Sequence, residues 1–167
     1  MPRSLEVSFE SPATVDEVQA AFGNRHYWLD RLAAFGGAKS LDSLDIDADG
    51  TVTVVVIEDL RRGALPGMLA KLYRGDLNVR STELWSPVGD GRVRGEIGVS
   101  VVGAPGSGAG TAVLAPCRNG SQLSLSATVE FNVPLVGGKI ESYVAGQFAE
   151  GFADIHRFTD NWIAERA

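Results

Sequence analysis

Residues 134–167 read PLVGGKIESYVAGQFAEGFADIHRFTDNWIAERA and carry the strongest structural signal of the chain. At about 100° per residue, intervals of mostly three or four residues keep side chains within one stripe of a helix. The residues that recur in this way are Ile140, Val144, Phe148, Gly151, Phe152, Ile155, Phe158 and Trp162. The pattern predicts one amphipathic helix of roughly 28 residues, on the order of 40 Å long, which needs a broad partner surface.

The chain before this helix is predicted to form mainly strands. Residues 3–10 alternate between apolar and polar side chains, which is typical of a half-buried strand. Residues 121–133 alternate in the same way after the Asn119-Gly120 turn, and the face predicted to point inward carries Leu123, Leu125, Ala127, Val129, Phe131 and Val133. Residues 47–50 read DADG and predict a further hairpin, whose second strand, residues 51–60, is too apolar for its facing to be assigned.

Two short helices are predicted between the first two strands. Thr14 and Glu17 have the spacing of a capping box, which starts a helix that ends near Phe22. A second helix begins near Arg25, and its predicted buried side carries Trp28, Leu29, Leu32 and Phe35.

Two segments between strands have competing interpretations. Residues 103–110 are rich in glycine, but no Lys precedes Thr111 and a strand follows, so we predict a hairpin loop and no phosphate site. Leu65 to Tyr73 begins at a proline-marked helix start. This short helix either packs against a sheet edge or forms a mobile cover over a cavity mouth.

The order of elements resembles the helix-grip fold of the START, birch-pollen-allergen and polyketide-cyclase superfamily. The stretches at residues 27–28, 52–62, 65–66, 91–96 and 133–141 are similar, more closely, to a bacterial family of uncharacterised proteins within it. The resemblance covers nearly the whole chain. It implies an α+β fold in which a seven-stranded bent antiparallel sheet wraps the long C-terminal helix, with two short helices after the first strand, as one domain over residues 1–167.

Composition excludes several classes of function. A net charge of −6 and a pI near 4.9 disfavour a nucleic-acid partner, because that affinity comes from clustered Lys and Arg. The single cysteine, Cys117, allows no internal disulfide, and neither a signal peptide nor a membrane span is indicated, so we expect a cytoplasmic protein without integral membrane association. His26 and His156 lie off the apolar stripes and are expected in solvent; no metal or cofactor is predicted.

Candidate site residues follow from the expected space between sheet and helix. We expect a ligand to contact apolar side chains and one glycine: Trp28, Val99, Leu125, Val129, Val144, Phe148, Gly151, Phe152 and Ile155. Glu83 shares the strand parity of Leu77 and Trp85, so it points into the cavity unless a bulge or an outer-edge position turns it away. Tyr143 flanks the helix stripe, and both residues are weak candidates for acid–base chemistry, with no catalytic residue assigned.

These features predict a protein that binds a small hydrophobic ligand, such as a lipid, polyketide or aromatic metabolite, in a cavity of roughly 300 Å³ or more. One alternative is a cyclase-, aromatase- or dehydratase-like enzyme that uses Glu83 or Tyr143. Another is a ligand-free interaction protein, whose exposed apolar patch would support a homodimer or a different partner.

Overall fold

The computed structural model describes residues 2–35, 38–59, 77–103, 105–132, 135 and 137–167. Within these ranges the elements are β1 Arg3–Ser11, α1 Val15–Phe22, α2 Arg25–Ala34, β2 Ala38–Ile46, β3 Val52–Asp59, β4 Asn78–Gly89, β5 Arg92–Val102, β6 Gly106–Cys117, β7 Gly120–Phe131 and α3 Gly137–Arg166. The segment predicted as satellite helix or cover, Leu65 to Tyr73, lies outside the described residues, as does Val133.

The strands form one antiparallel sheet in the order β1-β7-β6-β5-β4-β3-β2. Consecutive strands from β2 to β7 are neighbours, and β1 closes the sequence by pairing with β7, where Ser11 lies opposite Ser121. Helix α3 packs against β1 and β7. The predicted fold class, a helix-grip α+β fold, is confirmed.

Strand alternation sets which side chains face α3. In β7, Leu125, Val129 and Phe131 are buried while the residues between them are exposed or half-buried, as predicted. In β3, whose facing the sequence left open, Val52 and Val54 join the main core. The inner face is therefore apolar, because every second residue of each strand points to the same side.

An aromatic cluster holds α1, α2 and the C-terminal part of α3 together. We define this aromatic cluster as Phe22, Tyr27, Trp28, Trp85 and Trp162. Ring centroids within it lie 4.6 to 6.2 Å apart, with tilted or edge-on geometries that suit the quadrupoles of the rings. The capping box predicted at Thr14 and Glu17 is present and starts α1 at the edge of this cluster.

The predicted buried side of α2 is partly wrong. Tyr27 and Trp28 are fully buried, whereas Leu29 and Phe35 are 43% and 37% exposed. Two side-chain hydrogen bonds set the rotation of this short helix: Trp28 Nε1 donates to the Phe22 carbonyl oxygen at 2.6 Å, and the Tyr27 hydroxyl lies 2.7 Å from Thr159 Oγ1. The hydrogen bonds of Tyr27 and Trp28 thus determine which side of α2 is buried, in place of the apolar periodicity.

The glycine-rich stretch predicted as a loop is strand from Gly106 onward. Its glycines allow close approach: a Cβ at Gly106 would lie 2.5 Å from the Phe131 ring, and one at Gly110 would lie 3.1 Å from the Ser126 carbonyl oxygen. Strand pairing with β5 and β7 outweighs the low strand propensity of glycine here.

Candidate functional site

Two adjoining cavities lie between the sheet and α3. The wide cavity has a volume of about 260 Å³, and the narrow cavity has a volume of about 80 Å³. Both are lined by Ile97, Phe152 and Ile155, so they share one wall. Neither cavity alone reaches the expected volume of roughly 300 Å³, and the two cavities adjoin at these three side chains.

Small residues make the wide cavity. Gly108 and Gly110 line it from β6, and Ala127 lines it from β7. Across from them lies Gly151 of α3, where an added Cβ would have no atom within 4 Å. The volume therefore comes from side chains omitted at Gly108 on the sheet and at Gly151 on the helix. Val99, Val129 and Phe148 add apolar side chains to the lining, and Lys39, Thr128 and Gln147 add polar ones.

The narrow cavity combines an apolar floor with polar groups at its edges. Its apolar lining is Phe9, Val18, Phe22, Trp85, Ile97, Leu114, Leu123, Leu125, Phe152 and Ile155. Its polar lining is Ser11, Arg31, Glu83, Ser121, His156, Thr159 and Asp160. A mainly apolar wall with a few fixed polar groups is the usual composition of a small-molecule site.

Glu83 lines the narrow cavity and is paired with Arg31. Strands β3 and β4 pair without a register shift, so no bulge turns Glu83 outward. Arg31 Nη2 lies 3.2 Å from Glu83 Oε2, and Trp85 Nε1 donates to Glu83 Oε1 at 3.1 Å. Both carboxylate oxygens thus accept hydrogen bonds from fixed donors.

Arg31 is itself held by three neighbours. It forms the ion pair with Glu83 and stacks over Trp28, with its guanidinium carbon 4.5 Å from the ring centroid. Burial alone would lower the pKa of Arg31, but the negative charge of Glu83 together with Tyr27 raises the pKa above its ordinary value. The pair therefore persists as a salt bridge between side chains that are each 14% exposed.

Tyr27 provides a second polar connection to α3. Thr159 Oγ1 donates to the Ile155 carbonyl oxygen at 2.8 Å, so the Tyr27 hydroxyl donates to Thr159 Oγ1. Burial raises the pKa of Tyr27, because the phenolate would lose its hydration. Tyr27 thus remains a neutral donor at physiological pH.

At its far edge the narrow cavity meets a polar wall, by which we mean Ser11, Ser121, His156 and Asp160. Ser11 Oγ donates to Asp160 Oδ1, and His156 Nε2 lies 3.3 Å from Asp160 Oδ2. His156 was predicted in solvent, and that expectation is wrong: the ring stacks on Phe9 at 4.9 Å and its side chain is 14% exposed. The ring packs because α3 crosses β1 at this point. His26, by contrast, is exposed as expected.

The wall contains a serine, a histidine and an aspartate, but their connection differs from that of a hydrolase triad. Asp160 lies between the other two, and His156 Nε2 also lies 2.9 Å from the Glu10 carbonyl oxygen. Because a carbonyl oxygen only accepts, Nε2 carries the proton and faces Asp160 as a donor. A triad needs the histidine between serine and aspartate, so the serine is not activated here.

The structure brings most of the predicted ligand contacts together. Those lining one of the two cavities are Val99, Leu125, Val129, Phe148, Gly151, Phe152 and Ile155. Trp28 is fully buried in the aromatic cluster, and Val144 lines neither cavity. Tyr143 is 49% exposed and also lines neither.

Sequence reasoning missed Arg31, Ser11, Ser121 and Asp160 as cavity residues. Strand parity could have found Ser121, which lies two residues before Leu123 on the same face. No local signal marks the others, because their neighbours come from elements far away along the chain.

In the part of the chain that the structure describes, no group of three or more His, Cys, Asp or Glu residues could hold a metal ion. None of the described helices is both long and apolar enough to span a membrane.

Solved structures share this architecture at low sequence identity. The protein TTHA0849 from Thermus thermophilus is 16% identical and superposes with a TM-score of 0.56 over 100% of this chain and 99% of its own. Ara h 8.0201 is 12% identical with a TM-score of 0.53 over 99% of both chains. The di-domain ARO/CYC protein StfQ from the steffimycin biosynthetic pathway is 12% identical, with a TM-score of 0.62 over 99% of this chain and 52% of its own. These similarities concern the fold.

Closer relatives exist in mycobacteria. Uncharacterized proteins of Mycobacterium tuberculosis and Mycobacterium bovis are 38% identical to this chain over an alignment of 170 positions that covers 98% of each chain. Residues 6–163 match a family model described as a protein of unknown function, DUF2505. The chain therefore belongs to the DUF2505 family of uncharacterised bacterial proteins.

Proposed function

We propose that this protein binds a small, mainly apolar molecule in the two cavities between the sheet and α3. The observation that carries the proposal is the open space at Gly151, which faces the wide cavity with no atom within 4 Å of an added Cβ. Glycine inside a helix costs about 1 kcal/mol relative to alanine, and close packing against the sheet does not account for it here. Space for a ligand does account for it.

The lining and the fold both support binding. A ligand would displace water from the apolar side chains and glycines of the lining. The free energy gained is proportional to the apolar area that is removed from water. The resemblance to the START, birch-pollen-allergen and polyketide-cyclase superfamily, whose members bind lipids, sterols, polyketides or hormones, agrees with such a role. We expect the ligand to be a lipid, polyketide or aromatic metabolite.

A cyclase-, aromatase- or dehydratase-like activity is less well supported. Glu83 lines the narrow cavity, but Arg31 and Trp85 already occupy both of its oxygens. A general acid or base must be within hydrogen-bond reach of the substrate and free to exchange a proton with it. The ion pair with Arg31 is better explained by a structural role of Glu83 in the cavity wall.

The proposal is tested by blocking the wide cavity. We would purify the wild-type protein from its own host and identify any bound small molecule by native mass spectrometry and solvent extraction. Gly151→Leu places a side chain in the cavity and is expected to remove the bound mass. The matched control is Gly146→Leu, on an exposed position of α3 where an added Cβ also meets no atom within 4 Å.

Both substitutions replace glycine in the same helix, so both are expected to stabilise α3 by about 0.5–1 kcal/mol. Loss of ligand in the first variant alone would then reflect filled volume and not unfolding. Retention of the same bound mass by Gly151→Leu would contradict the proposed site. A wild-type protein that carries no small molecule and self-associates in sedimentation would instead support the interaction protein.

A further inference from the structure

The polar wall of the narrow cavity contains one hydroxyl group whose hydrogen bonding is incomplete. Ser121 is fully buried and lines the cavity, and its Oγ has no hydrogen-bond partner among the described residues. A buried hydroxyl without a partner has lost its hydrogen bonds to water without replacement, so such groups require an explanation.

The neighbouring hydroxyls do not have this deficit. Ser11 Oγ donates to Asp160 and accepts from the Ala13 backbone amide at 3.1 Å. Thr159 Oγ1 likewise donates to a backbone carbonyl and accepts from Tyr27. Ser121 lies directly across from Ser11 in the β1–β7 pairing, on the face that points towards α3. Its hydroxyl is thus the one in the lining of the narrow cavity that has no partner among the described residues.

The charges around this cavity decide which polar group would fit. Its ionisable lining consists of Arg31, Glu83, His156 and Asp160. Arg31 is held by Glu83 and His156 faces Asp160, so neither is available to an incoming anion. The Asp160 carboxylate accepts from Ser11, which lies across from Ser121 in the strand pairing. A carboxylate or phosphate would be repelled and would lose its hydration without compensation. An ammonium group would also be desolvated, against an Asp160 whose two oxygens already face Ser11 and His156.

We infer that the ligand carries an uncharged hydroxyl group at one end, which exchanges hydrogen bonds with Ser121 in the narrow cavity while its apolar remainder occupies the wide cavity. A hydroxyl both donates and accepts, so it can satisfy Ser121 Oγ in either direction. The small volume of the narrow cavity, about 80 Å³, suits a head group of this size. This inference rests on the proposed function and specifies the chemical class of its ligand.

The test compares head groups on one apolar chain. Octanol, octanoate, octylammonium and chlorooctane, which lacks a hydrogen-bonding group, would be titrated into the full chain by calorimetry at about pH 8, where the acid is ionised and the amine is charged. Octanol is expected to bind at least about tenfold more tightly than octanoate or octylammonium, because each charged head group must be desolvated.

Ser121→Ala is expected to weaken octanol about three- to tenfold and to leave chlorooctane unchanged, since one hydrogen bond is lost. The control is Ser124→Ala on the exposed face of the same strand, which should change neither affinity. Asp160→Asn keeps an acceptor for Ser11 and removes the charge, so octanoate should gain about threefold or more relative to octanol.

The outcomes separate the two proposals. Equal binding of octanol and chlorooctane that Ser121→Ala does not alter would overturn the hydroxyl site and leave the apolar cavity intact. Tighter binding of octanoate or octylammonium would overturn it as well. Failure of all four probes to bind saturably would contradict the proposed function itself.

Discussion

The two halves of α3 are held against the sheet in different ways. The C-terminal half packs into the aromatic cluster, with Tyr27 and Trp162 edge to face at 5.3 Å and a hydrogen bond from Trp162 Nε1 to Asp30. The N-terminal half faces glycines and half-buried side chains, and its buried residues are Ile140 and Glu141. Glu141 Oε2 accepts from the Phe131 backbone amide at 3.0 Å and so anchors this half. One helix thus serves as core at one end and as cavity wall at the other.

This division of the helix leaves space for a cavity while the sheet stays intact. Large aromatic rings concentrate burial and hydrogen bonds at one end, where they supply much of the stability expected from core packing. At the other end, Gly108 and Gly151 leave out side-chain volume. We therefore expect mutations to affect stability mainly at the aromatic end and binding mainly at the glycine end.

The largest expected effect is at the aromatic end. Trp28→Ala should lower the free energy of unfolding by about 3–5 kcal/mol, since it removes a fully buried ring and its hydrogen bond to the Phe22 carbonyl. Phe148→Ala at the glycine end should cost only about 1–2 kcal/mol, because that ring is half-buried and already borders a cavity. Urea unfolding of both variants measures the two losses of stability. Equal losses would show that the two ends of α3 do not differ in their contribution to stability.

An intermediate effect is expected at the anchor of the glycine end. Glu141→Ala should cost about 1–3 kcal/mol, because the Phe131 amide would stay buried without this acceptor. Glu150→Ala, on an exposed position of the same helix, should stay within about 0.5 kcal/mol of the wild type. Faster hydrogen exchange at the Phe131 amide in Glu141→Ala, but not in Glu150→Ala, would show that the loss of stability arises at this hydrogen bond. Equal free energies of unfolding for the two variants would contradict the role of Glu141 in holding this end of α3.

The smallest expected effect is a pH dependence at the aromatic end. The folded state favours the neutral phenol of Tyr27, so its raised pKa contributes stability below the unfolded value near 10. That contribution is lost as pH rises through the higher folded pKa, by at most about 1.4 kcal/mol per pH unit. Unfolding of the wild type should therefore become easier above about pH 10.

Tyr27→Phe removes this ionisation and should flatten the alkaline decline, although it also loses the hydrogen bond to Thr159. Tyr143→Phe, at the half-exposed tyrosine of the glycine end, is the control and should keep the decline of the wild type. An unchanged decline in Tyr27→Phe would show that other groups cause it.

Local patterns predicted the framework of the fold because they depend on neighbours in sequence. The alternation in residues 121–131 correctly placed Leu125 and Val129 inward, and the capping box correctly started α1 at Thr14. The stripe of α3 indicated which residues would face the sheet, and Gly151 of that stripe lines the wide cavity. In each case the periodicity of one element determines the facing.

The polar part of the site could not be read in this way. Ser11, Ser121 and Asp160 come from β1, β7 and α3, and each looks like an ordinary polar residue in its own segment. The rotation of α2 and the strand at Gly106 were mispredicted for a related reason. Both depend on partners supplied by other elements, Thr159 in the first case and β5 and β7 in the second.

The pairing of β1 with β7 has a further consequence, for the folding kinetics. Strands β2 to β7 can zip up through hairpins between sequence neighbours, but β1 must wait for the last strand to be synthesised before it has a partner. Closing such a long loop is entropically slow, and pairings of high contact order tend to limit the folding rate. Because Ser11 and Ser121 meet only in that pairing, the end of the cavity that distinguishes one ligand from another should be completed late, after the apolar space beside it.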